Sequence, residues 1–255
     1  MKIDQKSYRT IQPATRVSTE PIAGADLAQN GTGFLVEIID QTLLPHRFEM
    51  RKIQNLDEMV TAIKTMQVRG APLIGAAAAY GMALATQQNP SDDFLHHAAT
   101  KLIQSRPTAV NLSWAVARML NQLNSLPTQA RHHAAWQEAA LICDEDVAIN
   151  QAIGQHGFHL IQAMAAEKTH GAINILTHCN AGWLATVDWG TALAPIYTAH
   201  DAGLNIHVWV DETRPRNQGA SLTAWELGKH GVPHTVISDN TGGHLMQHDQ
   251  VDLVI

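Results

Sequence analysis

Residues 173–183 read INILTHCNAGW, in which a short apolar run is followed at once by polar side chains and a glycine. The run INIL predicts a buried strand, because it is short, apolar and bounded by polar residues. Strand-like runs recur at 206–210, 234–238 and 251–255, and helical patterns cover 190–203, 220–231 and 241–248. This alternation predicts βαβ units and a parallel sheet, and therefore an α/β fold for residues 171–255.

The first 170 residues have a different, mainly helical pattern. An entry segment over residues 1–54 contains short β-like runs such as FLVEIID at 34–40. Predicted helices run from Asn55 to about Gln67, and over 73–86, 92–104, 110–123 and 128–166. The 73–86 segment is apolar on nearly all sides, so this helix is expected to be buried.

The 128–166 segment is long for a single helix, and glycine is a poor helix former. We therefore expect a break near Gly154 or Gly157. The change of pattern after this segment predicts two domains, an N-terminal β/helical domain over 1–170 and a C-terminal sheet domain over 171–255.

Polar clusters follow three of the predicted strands. They are Thr177-His178-Cys179-Asn180, Asp211-Glu212-Thr213-Arg214 and Ser238-Asp239-Asn240. In parallel sheets, ligands bind beyond the carboxyl ends of the strands, near a reversal of the strand order. The three clusters therefore predict a functional site at one edge of the sheet.

Cys179 has two interpretations. As one of two cysteines, it fits a small buried apolar residue. Its place in a polar strand-to-helix turn favours a reactive thiol, because backbone N–H groups at a helix start, with His178, stabilise a thiolate or an anionic oxygen. No protease-like or glutaminase-like signature surrounds it, and the sequence does not identify a base that is adjacent to it in space.

Two arginines precede helix starts. Arg69 leads into Gly70-Ala71, and Arg106 leads into Pro107-Thr108. Helix N-termini with an adjacent arginine bind phosphate. The alternative at each junction is an ordinary turn with a solvated arginine.

The loop after the 206–210 strand contains two acids and two arginines between Asp211 and Arg216, which we expect to pair with one another. Gln218 follows, where its amide can bond a sugar hydroxyl.

His244 and His248 have the i,i+4 spacing of metal ligands, but no third ligand is evident, so the sequence does not favour a metal site. It contains neither a GxGxxG fingerprint nor a Walker lysine loop, so nucleotide cofactors are unsupported.

Composition excludes several other classes. The net charge is −6 without a basic block, so nucleic acid is not an expected partner. The first residues, MKIDQKSYRTIQP, have no apolar signal-like run, and no stretch of about 18 apolar residues occurs. Two cysteines distant in sequence give no disulfide framework. We expect a reduced, cytoplasmic protein that does not enter a membrane.

Five blocks of the chain carry a resemblance. They are MQVRGAPLIGAAAAYGMALA (66–85), SRPTAVNLSWAVARM (105–119), ILTHCNAG (175–182), GTALAPI (190–196) and VWVDETRPRNQGASLTAWEL (208–227). Together they resemble the methylthioribose-1-phosphate isomerase family, in one register over about residues 35–255. That family shares a superfamily with the regulatory subunits of the eukaryotic initiation-factor guanine-exchange complex.

The resemblance implies a Rossmann-like C-terminal domain, a homodimer, and the isomerisation of 5-methylthioribose 1-phosphate to its ketose in methionine salvage. By motif, Cys179 corresponds to the family's catalytic cysteine. Substrate contacts correspond to Arg69, Gly70, Ala71, Arg106 and Gln218. The resemblance implies a sugar phosphate as the small-molecule partner and neither a metal nor an organic cofactor.

The chain also departs from the family. Trp183, Asp188 and Trp189 stand where other residues are common, and Thr241-Gly242-Gly243 replaces a more usual Met-Ala-Ala. A related sugar, 5-deoxyribose 1-phosphate or ribose 1,5-bisphosphate, therefore stays open as the substrate. A non-catalytic regulatory subunit is the alternative from another class.

The end of the chain is a further departure. In the family, the strand that matches VDLVI at 251–255 leads into a Gly-x-Asp-Arg turn with the catalytic aspartate, and then an Asn-Lys pair. Neither follows here. We therefore expect a truncated form that is inactive and poorly soluble.

Overall fold

The computed structural model describes residues 1–3, 6–15 and 34–255. The remainder of the predicted entry segment, residues 4–5 and 16–33, lies outside the described residues. The chain forms two compact units. The helical unit comprises Ile11–Asp40 and Glu49–Ile142, and the sheet unit comprises Met1–Thr10, Gln41–Phe48 and Cys143–Ile255.

These units do not follow the predicted boundary at residue 170. The sheet unit already begins at Cys143 and also includes the first ten residues of the chain. Thr10, for example, donates from its hydroxyl to the carbonyl of Thr186 at 2.5 Å and is fully buried. Pattern along the sequence does not detect such contacts between distant segments.

The helical unit begins with an antiparallel sheet. Its strands are β3 (Ile11–Thr15), β4 (Phe34–Ile39) and β5 (Met50–Ile53), in the order β3–β4–β5. The strand predicted at 34–40 is thus confirmed. Two short strands of the sheet unit, β1 (Lys2–Ile3) and β2 (Lys6–Ser7), pair antiparallel.

Four helices of this unit match predicted helices. They are α1 (Leu56–Lys64), α2 (Ala71–Gln88), α3 (Asp92–Ser105) and α4 (Val110–Asn124). Asn55 caps α1 by accepting from the Glu58 N–H at 2.9 Å. The helix ends at Lys64, before the predicted end, because Met66 has a φ of 64°.

Helix α2 is buried as predicted. Each residue from Leu73 to Thr86 is buried. Small side chains permit this, since a Cβ on Gly75 would lie 3.1 Å from the carbonyl oxygen of Asn111 in α4. The first turns of α2 and α4 therefore lie close to each other.

The predicted break in the long helix is wrong. Helix α5 runs without interruption from Thr128 to Glu167. A Cβ on Gly154 would lie 3.0 Å from the Thr198 hydroxyl, and one on Gly157 would overlap the ring of Pro195. Both glycines therefore permit close helix packing, and this contact overrides their poor intrinsic helix propensity.

The sheet unit contains the predicted parallel sheet. Its strands are β6 (Ile173–Thr177), β7 (Ile206–Asp211), β8 (His234–Ile237) and β9 (Leu253–Val254). All neighbours are parallel, in the order β8–β7–β6–β9. The chain extends the sheet in one direction from β6 and then crosses to its other side, so β6 and β9 flank a switch point. The α/β, Rossmann-like prediction is confirmed.

The helices between these strands are shorter than predicted. They are α6 (Leu193–Asp201), α7 (Ala224–His230) and α8 (Thr241–Gln247). A π-helical turn, Gly219–Thr223, precedes α7. In the described parts of the chain, no helix is both long enough and apolar enough to cross a membrane.

Candidate active site

The three predicted polar clusters lie at one edge of the sheet. Thr177 pairs in register with Val210, and Asp211 pairs with Ile237, so the strands β6, β7 and β8 end at the same level. The residues that follow each strand therefore meet, as the sequence predicted. All the contacts described next belong to the sheet unit.

Cys179 is held by hydrogen bonds at both ends of its backbone. Its N–H donates to the Thr213 hydroxyl oxygen at 2.7 Å, and its carbonyl oxygen accepts from the Thr223 hydroxyl at 2.7 Å. The φ angle of Cys179 is 62°, a left-handed conformation that is uncommon outside glycine. The surrounding bonds thus maintain a strained backbone at the thiol.

The Cys179 thiol lies beside Gln218. Its Sγ donates to the side-chain Oε1 of Gln218 at 3.2 Å, and both residues are half-buried. Gly219 makes this approach possible, because a Cβ there would overlap the carbonyl oxygen of Asp211. The structure therefore brings together two of the predicted site residues.

No α-helix begins directly after Cys179, so the predicted strand-to-helix turn is wrong. A three-residue 3₁₀ turn, Trp183–Ala185, follows, and the next α-helix, α6, begins at Leu193. The loop is anchored instead by hydrogen bonds to the side chains of Thr213, Thr223 and Glu226. This arrangement removes the helix-dipole argument for a thiolate at this position.

A buried carboxyl group supports the loop from below. Glu226, in α7, is fully buried and accepts from the side-chain amide of Asn180 and from the Leu184 N–H at 3.4 Å. The same Asn180 amide donates to the Thr223 hydroxyl oxygen at 3.0 Å. A Cβ on Gly182 would overlap the Glu226 carboxylate. The Asn and Gly of HCNAG are therefore both explained by one acidic residue.

The charge of Glu226 also acts on Tyr197 in α6. Burial raises the pKa of Tyr197 well above its usual value, and the adjacent Glu226 raises it further. Tyr197 therefore stays neutral at all physiological pH values. Sequence reasoning missed Glu226, because an acid within a helical pattern normally indicates a solvated face.

Asp239 fixes the loop that contacts Cys179. Its two carboxylate oxygens accept from the Thr213 N–H at 2.7 Å and the Arg214 N–H at 2.9 Å. The bonds from Arg214 and then Thr213 lower the pKa of Asp239, and the nearby His178 adds to this effect. Thr213 is itself left-handed, with a φ of 55°.

Residues of other segments thus hold the charged loop after β7 in place. The sequence predicted that its acids and arginines pair with one another, but Asp211 contacts His178, with Oδ2 and Nδ1 3.0 Å apart. The His178 side chain is 59% exposed, whereas that of Asp211 is 9% exposed. A buried acid therefore anchors an accessible imidazole.

Among the described residues, one group has the donors and spacing to hold a metal ion. Its ligand atoms, from His178, Asp211 and Asp239, lie within 4.8 Å of one another. The rings of His244 and His248 are 4.1 Å apart, but they are not part of a three-ligand group in the described chain.

The other predicted site residues lie in the helical unit. Gly70 caps α2 with a φ of 89°, and Ala71 is the first residue of that helix. Arg69 is 7% exposed, so the alternative of a solvated arginine is wrong at this position. The conformation of Gly70 explains the glycine, since other residues adopt it only with strain.

Arg106 ends α3 and is half-buried. Its N–H donates to the Ile103 carbonyl at 3.3 Å, and its own carbonyl accepts from the Ala109 N–H at 3.0 Å. Residues 107–109 then lead into α4, whose first turn lies against α2. Both arginine junctions thus precede helix starts of one unit, and phosphate binding at these helix starts stays a prediction.

The fold and site define a Rossmann-like α/β protein with a cysteine centre at the carboxyl edge of its sheet. Residues 67–255 match the profile of the initiation factor 2 subunit family. The chain therefore belongs to this family.

Curated relatives share one name. A methylthioribose-1-phosphate isomerase from Rhodospirillum rubrum is 63% identical over 228 residues, which cover 88% of this chain and 58% of that protein. One from Methylorubrum extorquens is 57% identical over 255 residues, covering 100% of this chain and 65% of that protein. The chain thus spans about three-fifths of the length of these relatives.

Solved structures with this fold have two names. The 5-methylthioribose 1-phosphate isomerase of Pyrococcus horikoshii has a TM-score of 0.77 and 36% identity, covering 98% of this chain and 65% of that one. The translation initiation factor eIF-2B, subunit delta, from A. fulgidus has a TM-score of 0.76 and 38% identity, covering 97% and 67%. Fold similarity alone does not choose between these names.

Proposed function

We propose that this protein is an isomerase that converts 5-methylthioribose 1-phosphate to 5-methylthioribulose 1-phosphate in methionine salvage. The observation that carries this proposal is the Cys179 thiol, held 3.2 Å from the Gln218 amide oxygen. The identity of 57–63% to isomerases of that name supports the choice of substrate.

The substrate defines the chemical task. Its anomeric oxygen carries phosphate, so the sugar ring cannot open by simple loss of a proton from that oxygen. The site must protonate the ring oxygen, move a hydrogen from C2 to C1, and accept the proton of the C2 hydroxyl. Either proton transfer or a hydride shift achieves the middle step.

Cys179 is the proposed catalytic residue. Its Sγ–H points to a neutral amide acceptor rather than to a cation, which suits a thiol that holds or donates a proton. The bonds from Thr213 and Thr223 fix its backbone, so the thiol has a defined position. A positioned proton donor typically accelerates a reaction by about 10²–10⁴-fold.

Phosphate and sugar contacts complete the proposal. Gln218 is positioned to bond a sugar hydroxyl as well as the thiol. Arg69, Gly70, Ala71 and Arg106 are the proposed phosphate contacts, through guanidinium groups and helix-start N–H groups. The close first turns of α2 and α4 support a shared anion site in the helical unit.

Turnover with NMR detection tests the function. The complete gene product is incubated with 5-methylthioribose 1-phosphate, and we expect the anomeric signal to decrease as a ketose carbonyl appears. In D₂O, deuterium at C1 indicates proton transfer, whereas a hydride shift requires full retention of the C2 hydrogen at C1. Failure to form any ketose contradicts the proposal.

The same assay defines the substrate class. 5-Deoxyribose 1-phosphate and ribose 1,5-bisphosphate differ from the proposed substrate only at C5, so kcat/KM is compared across all three. We expect the methylthio sugar to have the highest value. A higher value for either alternative transfers the proposal to that sugar.

A regulatory subunit is the second candidate. The 38% identity to a protein named as an eIF-2B delta subunit favours it. A regulatory protein needs no reactive thiol, so turnover of a sugar phosphate by this protein excludes a purely regulatory role.

We also propose a cytoplasmic homodimer without a metal or organic cofactor. Light scattering on the purified protein tests the oligomeric state.

A further inference from the structure

His178 directly precedes the proposed catalytic cysteine in the chain, in the segment that follows β6 at the carboxyl end of the sheet. Its Nδ1 is 3.0 Å from Oδ2 of Asp211, the last residue of β7. Asp211 is buried and His178 is exposed, so the sheet determines the position of the carboxylate and the carboxylate determines that of the ring. No hydrogen bond occupies Nε2 of His178 among the described residues.

We propose that His178 is an additional acid–base group of this site and that Asp211 is the positioning residue that sets its tautomer. The inference rests on the proposed isomerase function. In the reaction, the Cys179 thiol protonates the ring oxygen as the C1–ring oxygen bond breaks, and the C2 hydrogen moves to C1. Nε2 accepts the proton of the C2 hydroxyl as the C2 carbonyl forms. The imidazolium then releases this proton to water and the thiolate takes one back from water, so the atoms balance.

The tautomer follows from the partner. An ionised carboxylate only accepts hydrogen bonds, so the ring nitrogen that faces Asp211 must carry a hydrogen. In the neutral ring, Nε2 then has the free lone pair of a base. The same logic applies to serine hydrolases, where a buried aspartate orients the catalytic histidine.

The two acids near His178 are less suited to the role. Asp239 uses both carboxylate oxygens to bond the backbone of Thr213 and Arg214. Asp211 is buried, and its Oδ1 has no hydrogen-bond partner among the described residues. The ligand atoms of both carboxylates lie within 4.8 Å of that of His178, whose side chain is 59% exposed.

The first experiment does not depend on activity. Long-range ¹⁵N–¹H NMR of the ¹⁵N-histidine-labelled complete gene product at pH 8 reports the tautomer, with His178 assigned by its loss in His178→Asn. We expect Nδ1–H at His178. His230 is the internal control, because its Nε2 lies 2.8 Å from Asp201 and predicts the opposite tautomer. An Nε2–H form at His178 overturns the inference.

The second experiment measures pH profiles of kcat/KM for the complete gene product. His178→Asn retains a donor toward Asp211 but removes the base, and we expect a loss of about 10²-fold or more with the acidic limb abolished. In Asp211→Asn we expect the acidic limb of the profile, which is the fall of kcat/KM at low pH, to remain but to move along the pH axis. Thermal melting confirms folding of each variant.

The outcomes separate the two proposals. An inactive wild type overturns the proposed isomerase function and the catalytic part of this inference, whereas the NMR result still decides the dyad geometry. Active enzyme with a wild-type acidic limb in His178→Asn overturns the inference alone. Loss of turnover with a chelator and its restoration by a divalent cation also overturn it, because His178 would then be a metal ligand.

Discussion

Two regions of the molecule hold the predicted site residues, and they position chemical groups by different means. At the sheet edge, Cys179 adopts a left-handed backbone conformation maintained by side-chain hydrogen bonds from Thr213 and Thr223. At the start of α2, a glycine and a buried apolar helix position the backbone N–H groups instead. A polar network therefore fixes the Cys179 side chain at the sheet edge, whereas helix packing fixes the partial positive charge of the backbone N–H groups at the start of α2.

This difference predicts how each region responds to substitution. Removal of one group from the polar network affects chemistry at a single atom, so large losses of activity are expected with little unfolding. In the proposed phosphate site at the helix starts, backbone N–H groups would share the binding with arginines, so the loss of one side chain is expected to weaken binding only partially.

Cys179→Ser gives the largest expected effect. If the thiol is the chemical centre of the sheet edge, kcat of the complete gene product falls about 10³-fold while the melting temperature changes little. Cys143→Ala is the matched control, because this second free cysteine is a buried residue of α5. Wild-type turnover by Cys179→Ser would reduce the residue to a packing role.

Gly182→Ala tests whether the network beneath the thiol tolerates any added atom. The new Cβ would overlap the Glu226 carboxylate, so we expect a loss of about 3 kcal/mol in the free energy of unfolding. Urea denaturation measures this. In Gly243→Ala the new Cβ meets open space, and this control should be neutral or slightly stabilising. Equal stability of the two variants contradicts the packing argument.

Arg106→Gln tests the helical unit. Removing one guanidinium from a phosphate site shared with helix N–H groups should raise KM about 30-fold, corresponding to a charge-assisted hydrogen bond, with kcat less affected. Lys101→Gln removes the same charge from α3, where Lys101 forms a surface ion pair with Asp57 at 2.5 Å, and should leave KM unchanged. An equal change of KM in both variants would indicate a general loss of positive potential.

Asp239→Asn gives the smallest expected effect, on stability against pH. The folded-state pKa of Asp239 lies below the usual 3.8 because backbone N–H groups bond the ionised form. Its contribution to stability is therefore complete above about pH 4 and is lost as the pH falls through the lower, folded-state value. Melting temperatures from pH 7 to pH 3 should show wild type and variant converging at the acid end. A constant difference across this range contradicts the assignment.

The sequence predicted much of the fold because its signals are local. INIL and FLVEIID became strands, and the Ala-rich 73–86 segment became a buried helix, since length and apolar pattern suffice for such elements. The uninterrupted α5 was not predictable, because the effect of Gly154 depends on Thr198 and Ala194, which lie about forty residues further along the chain.

The site was predictable in its location but not in its support. Strand ends indicated the edge where Cys179, His178 and Asp211 meet. Glu226 gave no such signal, because the pattern TAWEL is that of an ordinary helix and only the folded chain places its carboxylate under Asn180. Residue types therefore indicated the candidate reactive groups, whereas the groups that position them required three-dimensional contacts.

The left-handed backbone of Cys179 implies a conflict between stability and activity. With a φ of 62°, glycine is the residue that this position accommodates with least strain, and Cys179→Gly is expected to relieve about 1 kcal/mol of it. Selection for thermal stability alone would therefore tend to discard the thiol. Retention of cysteine at this position in a stability-selected library, under conditions where turnover is not required, would show that the surrounding bonds already compensate for the strain.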